Sequence, residues 1–129
     1  MKKHIVTITC VIMAVAVGLG AFGAHALKDV LTTDQLVVWK TATFYHFIHG
    51  LALLVLSIVY QLRPSKWLWT SIISLLVGII LFSGSLYLLT TMGWRWLGPV
   101  TPIGGLAFIL GWIFAIFGLK ESLQNAQIR

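Results

Sequence analysis

The chain has 129 residues, 59% hydrophobic and 9% charged, with a mean hydropathy of +0.97, which leaves too little polar sequence to build a water-soluble domain. Its formal net charge of +6 comes from nine Lys and Arg against three Asp and Glu. The basic residues are scattered at the ends of apolar stretches instead of forming a stripe, which argues against nucleic acid as a partner and for anionic lipid headgroups. Strands of a membrane barrel would alternate polar and apolar residues, and that alternation is absent.

Four stretches, 5–24, 42–60, 69–89 and 103–119, carry no acidic or basic side chain except histidine. Each is long enough to cross roughly 30 Å of hydrocarbon as a helix. The expected fold is therefore all-α, an integral membrane four-helix bundle forming one transmembrane domain over 1–129, with helices at about 5–24, 34–62, 66–91 and 102–120.

The first stretch, with Lys2 and Lys3 before it and Ala24-His25-Ala26 after it, imitates a secretory signal with a cleavage site. Three further spanning stretches and the four-residue spacing of Ala16, Gly20 and Ala24 favour a retained helix that packs through small residues. Cys10 lies in this helix, and as the single cysteine it rules out an internal disulfide and is expected to pack in the core. Leu27, Val30 and Leu31 beside Lys28 and Asp29 suggest a short interfacial helix between the first two spans. Thr32-Thr33-Asp34 offers an N-cap for the second helix, with Trp39 and Lys40 marking its entry into the membrane.

Arg63-Pro64-Ser65 breaks the chain, and Ser65 can cap the third helix. That helix should end near Gly93, before an interfacial cluster of Trp94, Arg95 and Trp96. Thr101-Pro102 then reads as a cap followed by a first-turn proline. Small-residue stripes on the third helix (Ser71, Ser74, Gly78, Ser85) and the fourth (Gly104, Ala107, Gly111, Ala115, Gly118) read as packing surfaces that could also support a homo-oligomer. The tail 121–129 reads as a frayed end. With the N-terminus in the cytoplasm, Lys2, Lys3, Arg63, Lys66, Lys120 and Arg129 lie inside and Lys28, Lys40 and Arg95 outside, so both termini should be cytoplasmic, in a bacterial plasma membrane.

Depth is the more informative comparison. Counting inward at about 1.5 Å per residue, His46 and His49 lie roughly 6 and 10 Å below the outer surface, level with Ser85 and Ser83. The outer half thus gathers His25, Tyr45, His46, His49, Ser83, Ser85, Tyr87 and Thr101, against Thr7, Thr9, Ser57, Ser71 and Ser74 in the inner half. His46 and His49, three apart, share a helix face. They could hold neighbouring helices together by hydrogen bonds, bind a polar headgroup, or shuttle protons. Metal or haem ligation by His25, His46 and His49 lacks the carboxylate or thiolate partners zinc prefers, so no cofactor is expected.

No Asp or Glu lies within a spanning stretch, and a serine nucleophile opposite either histidine would have no carboxylate to orient its base. The glycines at 18, 20 and 23 fall in an apolar helix and not after a strand, so they do not form a phosphate loop. Trp112, midway along the fourth helix, should pair its indole N–H with a carbonyl or serine of another helix.

Four strings together resemble a known family: Gly20-Ala21-Phe22-Gly23-Ala24-His25-Ala26-Leu27, Trp39 and the Tyr45 to Leu54 stretch with His49-Gly50-Leu51-Ala52-Leu53, Phe82-Ser83-Gly84-Ser85-Leu86-Tyr87, and Thr101-Pro102-Ile103-Gly104-Gly105 followed by Gly111-Trp112. The chain resembles the YwdK/YgdD-like family of small bacterial membrane proteins, related to animal transmembrane protein 256. The resemblance implies four transmembrane helices and a retained first helix, and brings no substrate, cofactor or catalytic residue with it. The ligand-binding candidates are His25, His46, His49, Ser83, Ser85, Thr101 and Trp112, and His49 ranks above His46 because it begins the matching run His49-Gly50-Leu51-Ala52-Leu53, whereas His46 is less characteristic. The leading expectation is a non-enzymatic bundle that binds a small or lipid-like ligand in its outer half. The alternatives are a small-solute or ion transporter component acting as an oligomer, and a histidine-ligated redox protein.

Overall fold

The structure, a computed structural model, describes residues 2–127 by their backbone and 2–124 by their side chains. Arg129 therefore lies outside the described residues. The chain forms helices α1 (Ile5–His25), α2 (Thr33–Leu62), α3 (Lys66–Gly78), α4 (Ser85–Met92) and α5 (Val100–Gln127), with a π-helical segment, Ile79–Gly84, joining α3 to α4. Together α3, the π segment and α4 make one span, 66–92, so four helices are long and apolar enough to cross a membrane.

Chain breaks follow local chemistry. Thr32 closes a capping box with Gln35: its hydroxyl accepts from the Gln35 amide while the Gln35 side chain accepts from the Thr32 amide. Ser65 accepts from the amides of Trp67 and Leu68 at the start of α3. Gly93 ends α4 at φ 67°, in the left-handed region where a Cβ would be strained. The expected interfacial helix is only a turn, in which the Leu27 carbonyl accepts from Val30 and Leu31, because the short link between α1 and α2 leaves no room for more. Thr101 does not cap α5, which already begins at Val100.

The spans follow one another as an open row instead of closing a ring. α1 packs mainly on α2, α2 on the third span, and α5 on α3 and the π segment. The outer two spans are consequently less buried than the inner two. Leu53, Leu68, Ile72 and Leu75 are wholly buried at the centre, with Phe108 and Ala115 closing on them from α5.

Close approach relies on missing side chains. A Cβ on Gly104 would strike the backbone of Leu81 and Phe82, and one on Gly118 the backbone of Leu68, so α5 lies directly against the third span. Ser71 donates to the Gly111 carbonyl across that contact at 2.7 Å. On α1 the buried small residues are Ala16 and Gly23, while Ala24 is exposed. Gly23 is filled by the indole of Trp39, whose N–H donates to the Leu19 carbonyl at 3.0 Å. Trp39 is therefore a buried α1–α2 contact and not the interfacial marker its position beside Lys40 suggested. Cys10 faces outward, because α1 has only one protein neighbour to bury against. The predicted frayed tail is tied down at its start: Ser65 donates to Glu121, and Ser122 donates to the Arg63 carbonyl.

Candidate functional site

The outer-half side chains expected at one level do not converge on one cavity. His46 turns toward the third span, where its Nδ1 lies 3.2 Å from the Tyr87 hydroxyl. Its Nε2 is buried with no hydrogen-bond partner among the described residues. His49, one turn deeper, engages α5 instead: its ring stacks on Phe108 at 3.5 Å between centroids and 12° between planes. Three residues of separation give the two rings different neighbours, so the shared face does not make them a pair.

The hydroxyls are spent on helix contacts. Ser83, wholly buried, donates to the Ala42 carbonyl at 2.8 Å and so bonds the π segment to α2. Ser85 lies 2.9 Å from the Phe82 carbonyl and 2.7 Å from the Thr101 hydroxyl, joining α4 to α5. Each of these contacts satisfies a polar group that lipid would leave unpaired. His25 sits exposed at the end of α1. Among the described residues, no three of His, Cys, Asp and Glu come together, so His25, His46 and His49 do not assemble a ligand set.

His49 and Trp112 do meet, at a groove of about 450 Å³ between α2, the π segment and α5. Tyr45, His49, Phe82, Phe108 and Trp112 form its walls, and Pro102, Gly105, Leu106 and Ile109 complete the α5 side. The volume falls within the range of small-molecule sites. Leu106, Ile109 and Trp112 are 56%, 58% and 46% exposed, so the groove opens sideways, toward the position of the acyl chains. Trp112 is not the buried indole expected from its depth; it forms the rim, its ring 6.2 Å from His49 at a steep angle.

The π segment shapes this wall. Its wider turn directs Ser83 inward to α2 and leaves Phe82 outward, packed on Tyr45 (4.5 Å) and Phe108 (5.6 Å). Gly78 provides the recess that Phe108 enters, since a Cβ there would overlap the Phe108 ring. Gly105 leaves space beside Phe82: an added Cβ would meet that ring at an ordinary 3.8 Å.

The groove carries no charged side chain; its polar side chains are the His49 imidazole, the Tyr45 phenol and the Trp112 indole. His49 Nδ1 is 2.8 Å from the Tyr45 carbonyl, which can only accept, so Nδ1 carries the proton. Sequence reasoning included His49 and Trp112 but missed Phe82, Phe108 and Gly105. A signal existed in the helical spacing of Gly105, Phe108 and Trp112 on one face, yet a phenylalanine in an apolar helix carries no mark of its own.

Comparison with known proteins gives a consistent picture. A family model described as protein of unknown function (DUF423) matches residues 19–105. A UPF0382 membrane protein of Staphylococcus saprophyticus is 45% identical over 103 residues, covering 80% of this chain and 85% of its own. The UPF0382 membrane protein YwdK of Bacillus subtilis is 41% identical over 115 residues, covering 84% and 89%. The UPF0382 inner membrane protein YgdD of Escherichia coli K12 is 40% identical over 102 residues, covering 79% and 78%. No solved structure matches.

Proposed function

Since this chain belongs to the DUF423 family, whose relatives above are UPF0382 membrane proteins, we propose that it is a non-enzymatic integral protein of the bacterial plasma membrane that binds a small lipid-like ligand in its outer half. The observation that carries this reading is the laterally open groove at His49, with aromatic walls and one imidazole in a lining that holds no charged side chain. An ionisable side chain kept at membrane depth beside an open cavity is a recurrent mark of ligand recognition.

Orientation is part of the same proposal. Gln61 donates to the Lys2 carbonyl and Ser65 to Glu121, so the start of α1, the α2–α3 turn and the late part of α5 share one end. That end carries Lys2, Lys3, Arg63, Lys66 and Lys120, against Lys28, Lys40 and Arg95 at the other. The positive-inside rule then supports cytoplasmic termini, with the groove in the outer leaflet. YgdD's description as an inner membrane protein supports the location.

Native mass spectrometry of protein extracted with bacterial lipids tests the reading. Wild type should retain an apolar adduct that is lost in Gly105→Leu, which fills the groove from a position with room for a Cβ. Equal adducts on both, or none on wild type, would remove the reading.

A further inference from the structure

We infer that the groove selects an uncharged, ring-bearing amphiphile that donates an O–H, a phenol or hydroquinone head on an apolar tail, to Nε2 of His49. This rests on the groove being a ligand site and adds the chemistry of the ligand.

Three observations fix that chemistry. Proton bookkeeping comes first: Nδ1 is committed as a donor to the Tyr45 carbonyl, so in the neutral ring Nε2 is an acceptor. Among the described residues the hydrogen bond of His49 is made through Nδ1, none is made by its Nε2, and His49 lines the groove. An incoming group must therefore supply the proton of the hydrogen bond. The second observation is charge. None of the lining residues is Lys, Arg, Asp or Glu, so a phosphate or ammonium head seated at His49 would lose its hydration without gaining a counter-ion. The head is neutral. The third is shape: Tyr45, Phe82, Phe108 and Trp112 present ring surfaces on the sides of the groove, which suit a flat aromatic head better than a glycerol or a straight alcohol. The imidazole is held in place for this contact, stacked on Phe108 (3.5 Å, 12°) with the Tyr45 ring alongside, near-parallel at 5.7 Å.

Equilibrium binding of a short-chain prenyl hydroquinone to the full-length protein in detergent tests the inference. Quenching of Trp112 reports occupancy, and subtracting the Trp112→Phe signal isolates it from the other indoles. The dimethyl ether of the same molecule keeps the ring and tail but has no O–H. It should bind roughly tenfold more weakly, the factor a single hydrogen bond supplies. His49→Leu should bring hydroquinone down to the level of the ether, and Gly105→Leu should abolish binding of both. Equal binding of hydroquinone and ether, lost in Gly105→Leu, would overturn the donor requirement while leaving the ligand groove intact. No binding of either overturns the inference outright, and the adduct seen by native mass spectrometry then decides separately whether the groove holds some other lipid.

Discussion

Single residues in this protein separate into those that hold helices together and those that face the groove. Ser83 belongs to the first kind, since its hydroxyl satisfies the Ala42 carbonyl inside the bundle. Ser83→Ala should lower stability by about 1 kcal/mol, as an interhelical hydrogen bond in a membrane does, without changing adduct retention. Gly104 tests close packing more sharply. Gly104→Ala pushes a methyl into the Leu81–Phe82 backbone and should cost about 1–3 kcal/mol. Gly18→Ala, where nothing lies within 4 Å of the added Cβ, should be neutral or slightly stabilising. Thermal unfolding in one detergent measures all three, and an equal effect of the two glycine changes would contradict the packing described. At this scale the sequence revealed which residues are polar at which depth. It did not reveal their partners: Ser83 and His49 lie close in depth, yet one turns to a backbone carbonyl and the other to Phe108, a choice made by where α5 lies.

Helix ends were the most legible elements, because caps are local chemistry. The Thr32 box and the Ser65 cap follow directly from Thr-Thr-Asp-Gln and Pro-Ser. Thr32→Ala should destabilise by about 1 kcal/mol, read as a lower midpoint of unfolding. The π segment was not legible. Nothing in Ile79–Gly84 distinguishes it from an α-helical run, and it forms where Gly104 brings the α5 backbone against Leu81 and Phe82. Trp39 was misplaced for a similar reason: beside Lys40 it looks interfacial, but the recess left by Gly23 is on another helix. Long-range fit decided both, and a local reading cannot see it.

For the whole molecule, four hydrophobic runs were enough to fix the class, since a bilayer admits few other structures for such a chain. Their arrangement was not. The open row leaves α5 with one protein face and one lipid face, and the groove exists because the third span and α2 meet α5 only along one side. The orientation proposed above rests on charge. With cytoplasmic termini, Lys28→Cys in intact cells should react with a membrane-impermeant maleimide, whereas Lys66→Cys should react only after the membrane is opened; the reverse pattern would place the groove in the inner leaflet.

Everything proposed for the His49 groove depends on its opening sideways into the bilayer. A nitroxide at Leu106→Cys, with Cys10→Ala in the background to remove the exposed native thiol, reads this directly in reconstituted protein. The probe should be readily reached by oxygen, which partitions into lipid, and shielded from a water-soluble nickel chelate. Access for the chelate equal to that of an aqueous loop, or exclusion of both relaxants by packed protein, would contradict it.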